Sequence, residues 1–253
     1  MFDFDYTIAH SFTLPSEGKV YAVDVKPEFK IRSMTTAEEM KRLNHSERPY
    51  MAMAEIMDSC LVDKIGISAY DLCVADYQFM LHKLRLVTYG PKYKLSSTCP
   101  YCGTTNTFTV DLSDIPVKEF DKDEYEKYSE FLLPVTQKKI KLRMQTPRIL
   151  DNINVASREQ RKKNPQATGD PAFLFTLQNL IETIGGEKPD SIKIQYFVQH
   201  LPMMDTNYIL KSAQKLNSMF GIDSQLVNTC RICGLDYTSN FRTTSEFFGP
   251  SID

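Results

Sequence analysis

The chain has 253 residues, 42% of them hydrophobic and 25% charged, and its formal net charge is −2. These values are ordinary for a soluble globular protein with a core of its own, and they argue against a strongly basic nucleic-acid-binding face. No stretch approaches the ~18 uncharged apolar residues of a membrane-spanning helix, and the acidic start does not resemble a signal peptide. We therefore expect a cytosolic chain with reduced thiols.

The first third of the chain carries signals for strands followed by helices. Residues 1–34 are rich in β-prone residues, and their pattern predicts paired strands at 20–25 and 29–34. Thr36 and Glu39 have the spacing of a capping box, which marks the start of a helix. Apolar periodicity then predicts three helices, at 36–43, 50–62 and 69–88.

The rest of the chain holds strand signals on both sides of a helical stretch. Strands are predicted at 92–98, 107–112, 117–120, 131–135, 139–144 and 241–248. Residues 121–127 are rich in charge and are expected to lie on the surface. Thr146-Pro147 and Asp170-Pro171 each place a capping residue before a proline at the first helical position. Helices are therefore predicted at 147–163, 171–184, 191–200 and 205–220.

Two short cysteine pairs form the clearest motif. Residues 99–103 and 230–234 both read Cys-x-x-Cys-Gly, with Leu four residues before the first cysteine and Thr directly before it. Such a turn directs both sulfur atoms to one centre, and the glycine lets the backbone fold back at positive φ. Two matched turns supply four thiolates and leave no open position on a tetrahedral ion. We predict one structural zinc site formed by Cys99, Cys102, Cys230 and Cys233.

The two pairs are far apart in the chain, with residues 103–229 between them. The predicted zinc site is therefore a long-range clamp and not a compact zinc ribbon. The alternatives are disulfide bridges, a thioredoxin-like redox motif and unrelated free thiols. The matched repeat and the absence of secretion signals favour zinc over these alternatives.

No motif for catalysis is found in the sequence. Phosphate-binding loops, dinucleotide-binding glycine patterns, nucleophile elbows and zinc-protease helices are all absent, and the four histidines are scattered. His82 is expected at the surface or the edge of the core, and Cys60 and Cys73 are expected to be buried apolar residues. We predict no enzyme activity and assign no catalytic or cofactor-binding residue.

Several motifs along the chain together resemble one protein family. They are Phe12-Thr-Leu-Pro-Ser16 with Gly18 and Tyr21, residues 31–39, residues 83–93, Leu201-Pro202 with Asp205, residues 221–223, both cysteine pairs, and Phe247-Phe248. In this order they resemble the T4-type baseplate hub assembly family of contractile-tailed bacteriophages. The resemblance covers nearly the whole chain, although residues 118–190 carry no family motif.

The resemblance implies a non-enzymatic protein that builds the phage tail baseplate hub or forms part of it. Its implied partners are other phage tail and baseplate hub proteins, with no small-molecule substrate and no membrane. Its implied locations are the host cytoplasm during assembly and the virion tail baseplate. Candidate contacts are the N-terminal β segment and Phe247-Phe248, unless these two rings pack in the core. The alternative function is a zinc-ribbon nucleic-acid-binding or transcription-associated protein.

The predicted fold class is α+β. It combines N-terminal strands and helices, a split zinc-ribbon-like β region with four cysteines, and an inserted helical bundle. The expected regions are 1–95 for the N-terminal part, 96–146 plus 222–253 for the split ribbon, and 147–221 for the helical insertion.

Overall fold

The computed structural model describes residues 8–166, 169–240 and 245–248, and these form a mixed fold that confirms the α+β prediction. The strands are β1 (Ala9–Thr13), β2 (Glu28–Arg32), β3 (Lys92–Thr98), β4 (Thr105–Asp111), β5 (Val117–Lys118), β6 (Glu130–Leu132), β7 (Lys139–Leu142), β8 (Ile181–Ile184), β9 (Gly221–Ile222), β10 (Gln225–Thr229) and β11 (Asp236–Asn240). The helices are α1 (Thr36–Arg42), α2 (Pro49–Cys60), α3 (Val74–Tyr89), α4 (Lys122–Ser129), α5 (Pro147–Lys163), α6 (Pro171–Leu180), α7 (Ser191–Gln199) and α8 (Met203–Ser218).

The strands form small antiparallel sheets. β3 pairs with β4 from Lys92↔Asp111 to Thr98↔Thr105, and β10 pairs with β11 from Gln225↔Asn240 to Thr229↔Asp236. β6, β7 and β8 form a three-stranded sheet. The short pair β5–β9 joins the segment that leaves the first hairpin to the segment that enters the second. The two cysteine-bearing hairpins are thus linked at their bases.

Two apolar clusters form the interior, and the α3 region contributes to both. The first cluster contains Met80 and Leu84 of α3 together with side chains from β2, α2 and the C-terminal phenylalanines. The second contains Cys73 and Ala75 at the start of α3 together with side chains from β7, α6 and α8. Since each cluster packs on one part of α3, this helix connects the two halves of the interior.

The predicted strand at 20–25 is wrong. β2 overlaps the predicted strand at 29–34 but begins and ends earlier, at Glu28 and Arg32, and its partner is β1 and not residues 20–25. Gly18 has a φ of 75°, and a Cβ there would lie 2.6 Å from the carbonyl oxygen of Val25. The chain thus reverses direction between Gly18 and Val25. Tyr21 lies within this reversal, and its hydroxyl donates to Asp76 Oδ2 at 2.6 Å. Residues 20–25 therefore follow a loop that faces α3.

Several helix boundaries differ from the predictions for local reasons. The capping box of α1 consists of Thr35 and Glu38, one residue before the predicted pair. Ser68 caps a 3₁₀ turn at Ala69–Asp71, and α3 begins only at Val74. Asp205 lies in the first turn of α8, where its carboxylate accepts hydrogen bonds from the backbone of residues 135 and 136.

The predicted helix at 171–184 ends early. α6 stops at Leu180, and the next four residues form β8, the third strand of the sheet. Ile184 pairs with Ile140, and Ile181 pairs with Leu142. Short apolar runs fit a buried strand as well as a helix, and here the free edge of β7 decides between them.

The prediction of a strand at 241–248 is wrong where the structure describes it, because residues 245–248 form a 3₁₀ turn. The remainder, 241–244, lies outside the described residues, as do residues 1–7 of the predicted N-terminal β region. Phe247 and Phe248 are 0% and 3% exposed, so they are core residues and not a contact surface.

Arg85 explains why the C-terminal turn lies in the core. This side chain is fully buried, and its Nε donates to the carbonyl oxygen of Phe247 at 2.8 Å. Its Nη1 and Nη2 donate to the carbonyl oxygens of Gly90 and Lys92 at 2.8 and 3.2 Å. One guanidinium therefore connects the end of α3, the start of β3 and the C-terminal turn.

We expect Arg85→Met to lower the free energy of unfolding by about 3 kcal/mol, because it leaves three carbonyl groups without their donor. Arg85→Lys should also destabilise, since one ammonium group cannot reproduce the planar fork. Urea denaturation measures both. The control is Arg161→Met, which removes an exposed ion pair with Asp170 and should change stability by less than about 1 kcal/mol. Equal losses of stability in Arg85→Met and Arg161→Met would show that the hydrogen bonds of Arg85 do not hold the C-terminal turn in the core.

His82 should make the fold sensitive to acid. It is 1% exposed and stacks on Phe247, contrary to the expected position at the surface or core edge. Burial, with smaller effects of Lys83 and Arg85, lowers the pKa of His82 to about 4. The unfolded chain therefore binds a proton more readily than the folded chain as the pH falls below about 6.5.

Between pH 7 and 4.5 this difference should cost about 2 kcal/mol of stability. His82→Gln removes the titrating group, so its stability should fall less over the same pH range. Denaturation of both proteins at matched pH values measures the difference. Parallel pH profiles would show that His82 does not contribute.

Candidate metal centre

The two cysteine turns have the same backbone geometry. In the first, Gly103 N donates to Cys99 O at 3.0 Å, and Cys99 N donates to Thr104 O at 2.9 Å. In the second, Gly234 N donates to Cys230 O and Cys230 N donates to Leu235 O, both at 3.0 Å. The two glycines have φ values of 72° and 71°. Open space surrounds both, so positive φ and not crowding requires glycine.

The fold brings all four predicted ligands together. The four Sγ atoms of Cys99, Cys102, Cys230 and Cys233 lie within 4.8 Å of one another. The distance is 3.7 Å between Cys99 and Cys233, and 3.6 Å between Cys102 and Cys230. Four thiolates around a tetrahedral zinc ion would lie about 3.8 Å apart, whereas a disulfide needs about 2.05 Å. The sulfur arrangement fits a metal centre and does not fit disulfides.

The backbone around the sulfur atoms favours the thiolate form. N–H groups of Cys233 and Ile232 are the main cause that lowers the pKa of Cys230 to about 6. The side chain and backbone of Thr104 lower the pKa of Cys102. Thiolates are the form that binds metal ions, so the turns prepare Cys102 and Cys230 for this role. The backbone N–H of Leu235 also lowers the pKa of Cys233, but burial and the three neighbouring sulfur atoms outweigh it and raise that pKa to about 11.

Two residues beside the sulfur atoms were not predicted from the sequence. Tyr237 is buried, and its hydroxyl donates to the carbonyl oxygen of Ser97 in the other hairpin at 3.3 Å. Asn106 is 4% exposed, and its Nδ2 lies 3.5 Å from Cys230 Sγ. The sequence repeat did mark these two positions as equivalent, since Asn106 and Tyr237 each stand seven residues after the first cysteine of their pair.

Other candidate groups do not form a comparable site. Cys60 and Cys73 are buried as expected, and burial is the main cause that raises the pKa of Cys60 to about 11. Burial also raises the pKa of Cys73. Across residues 8–166, 169–240 and 245–248, the four cysteines are the one group with three or more His, Cys, Asp or Glu ligands in range of an ion. No helix in these ranges has the length and apolarity to cross a bilayer.

The comparisons with known proteins identify a family. The sequence model of the family described as T4 bacteriophage base plate protein matches residues 7–249. No curated protein matches the chain, and no solved structure matches it. The family match includes both cysteine hairpins, the two apolar clusters and the C-terminal turn. The chain therefore belongs to the T4 bacteriophage base plate protein family.

Proposed function

We propose that this baseplate protein is a structural component or assembly factor of the tail hub, acting through protein–protein recognition on a scaffold stabilised by zinc. The family match over residues 7–249 is the observation that carries the proposal, and it supports a structural role rather than an enzymatic one. The proposal includes action in the host cytoplasm during assembly, in addition to the tail association that the family suggests.

Zinc is supported by the donor set. Four sulfur ligands occupy a tetrahedral ion completely, and a filled coordination shell leaves no position for a substrate. The cysteines and the backbone of their turns would hold the ion, and the ion would supply cross-linking alone. This chemistry fits a scaffold and agrees with the absence of catalytic motifs in the sequence.

The proposed clamp acts between the two hairpins. β3 follows the end of α3, whereas β10 follows α8 and β9, so the ion would close a loop that contains most of the second apolar cluster. By analogy with a disulfide, closing such a loop contributes at most about 4–5 kcal/mol. We also propose that the chain divides into an N-terminal region at 1–95, a split ribbon at 96–146 plus 222–253, and a helical insertion at 147–221.

One exposed face of α8 offers a surface for partner contacts. Met204, Tyr208 and Lys211 follow one another at i, i+4 and i+7, and Met204 is 64% exposed. Lys215 continues the same face, and neither lysine has an ion-pair partner among the described residues. Asp205 fixes the turn at residue 135 beside this face. The charge pattern suits another baseplate protein whose contacting segment carries apolar side chains followed by carboxylates.

We expect the purified protein to contain one zinc ion per chain, measured by elemental analysis. A strong chelator should increase hydrogen exchange within 92–111 and 225–240, because the hairpin pair would lose its cross-link. Exchange in α3 should change little, since α3 lies in both apolar clusters. A chain without metal, or hairpins that keep their protection after chelation, would contradict the zinc scaffold.

The surface of α8 is tested by Met204→Asp combined with Tyr208→Ala. In infected cells the tagged wild-type protein should co-purify with identified tail or baseplate proteins, and the double variant should recover at least tenfold less of them. Met204 is exposed, but Tyr208 also packs edge-on against Phe131 at 5.0 Å, so the variant should lose about 1 kcal/mol of stability and still be folded at the temperature of the assay, which thermal denaturation checks. Val62→Asp, at an exposed apolar site distant in sequence, is the matched control and should recover normal amounts. Equal recovery by the double variant would exclude this face.

A further inference from the structure

The side chain of Asn106 in β4 spans the gap between the two cysteine hairpins. Its Nδ2 lies 3.2 Å from the carbonyl oxygen of Thr104 and 3.5 Å from Cys230 Sγ. Its Oδ1 accepts a hydrogen bond from the backbone N–H of Arg231 at 3.0 Å. Arg231 and Cys230 belong to the second hairpin, so one buried amide of the first hairpin contacts both the backbone and a sulfur atom of the second.

Backbone groups fix the orientation of this amide. The N–H of Arg231 can only donate, so it requires the Oδ1 atom of Asn106. The carbonyl oxygen of Thr104 can only accept, so it requires Nδ2. Nδ2 has a second hydrogen, and the Cys230 sulfur is the remaining acceptor near it, while Oδ1 lies farther from that sulfur at 3.8 Å. The amide therefore presents a donor to the sulfur, which suits a thiolate ligand.

The two hairpins differ at the position that makes this contact. The equivalent position in the second hairpin is Tyr237, whose hydroxyl donates to the carbonyl oxygen of Ser97. Both residues connect one hairpin to the other, but of these two side chains only Asn106 donates to a sulfur atom of the four-cysteine group. Tyr237 therefore connects the two hairpins without this contact, whereas Asn106 also contacts a sulfur atom of the proposed metal centre.

We infer that Asn106 is a positioning residue for the metal, an inference that rests on the proposed zinc site. Its N–H group orients the Cys230 sulfur toward the ion, and its carbonyl oxygen holds the second cysteine turn against the first. Groups that hydrogen-bond to metal ligands typically change metal affinity by about 10- to 100-fold when they are removed. Asn106 is expected to lie in this range.

The variants Asn106→Asp and Asn106→Ala both remove the donor to the Cys230 sulfur. Aspartate keeps an acceptor for Arg231 N–H but offers no donor to the Cys230 sulfur, whereas alanine removes both. Asn228→Ala is the control, because Asn228 is also buried in the ribbon and its amide bonds to Leu226 O and Ser239 Oγ without contacting a cysteine. Chelator competition measures zinc affinity, and the thiolate-to-cobalt charge-transfer band of the cobalt-substituted protein reports on the sulfur atoms.

We expect both Asn106 variants to bind zinc at least tenfold more weakly than the wild type and to shift the cobalt band. Asn228→Ala should remain within about threefold and keep the band in place. If wild type takes up one zinc ion and Asn106→Asp matches it in affinity and band position, the inference fails while the zinc scaffold stands. If wild type binds no metal, both fail.

A measurement on the wild type covers the case in which the variants do not fold. In protein loaded with ¹¹³Cd, a hydrogen bond from Nδ2 to a metal-bound sulfur should give a scalar coupling between the Asn106 side-chain amide proton and the cadmium nucleus. The side-chain amide of Asn228 should give none. Absence of the coupling at Asn106 would overturn the inference.

Discussion

A titratable side chain removed from water needs a fixed set of hydrogen-bond partners, and α3 carries two such side chains. Asp76, in its first turn, accepts from the backbone and hydroxyl of Ser16 and from the Tyr21 hydroxyl. Arg85, in its last half, donates to three carbonyl groups. Both side chains are fully buried. These requirements bind the N-terminal loop to one part of α3 and the C-terminal turn to the other, and both apolar clusters form around the helix.

The cysteine hairpins stand outside this arrangement. Their own apolar cluster contains three buried residues, Cys99, Cys230 and Tyr237, with Phe108 packed against them. Two-stranded hairpins with so small a core are marginal in water. Tyr93, Val110 and Leu226 join their bases to the first large cluster, but the tips have little apolar contact. A metal ion held by the four cysteines would cross-link the two tips at the place where apolar packing is thinnest.

Sequence patterns predicted elements where local signals and tertiary contacts agree. The helix at 147–163 and the strand at 92–98 were predicted with the bounds that the structure has. The meeting of the four cysteines followed from the repeat. The predictions failed where one distant contact overrides local preference, as for the loop at 20–25, which Tyr21 turns toward Asp76. No spacing rule reveals the contact of Asn106 with Cys230, because these residues are 124 positions apart and their contact depends on how the two hairpins face each other.

The motifs that resemble the family are scaffold elements in this structure. Ser16 and Tyr21 bind Asp76, and Arg32 pairs with Glu38 at 2.5 Å, which holds β2 against α1. Asp205 fixes a turn, and Phe247 is buried. These side chains are engaged inside the molecule and are not available to a partner. The proposed partner contacts would use exposed side chains, and the α8 face has exposed apolar and basic groups.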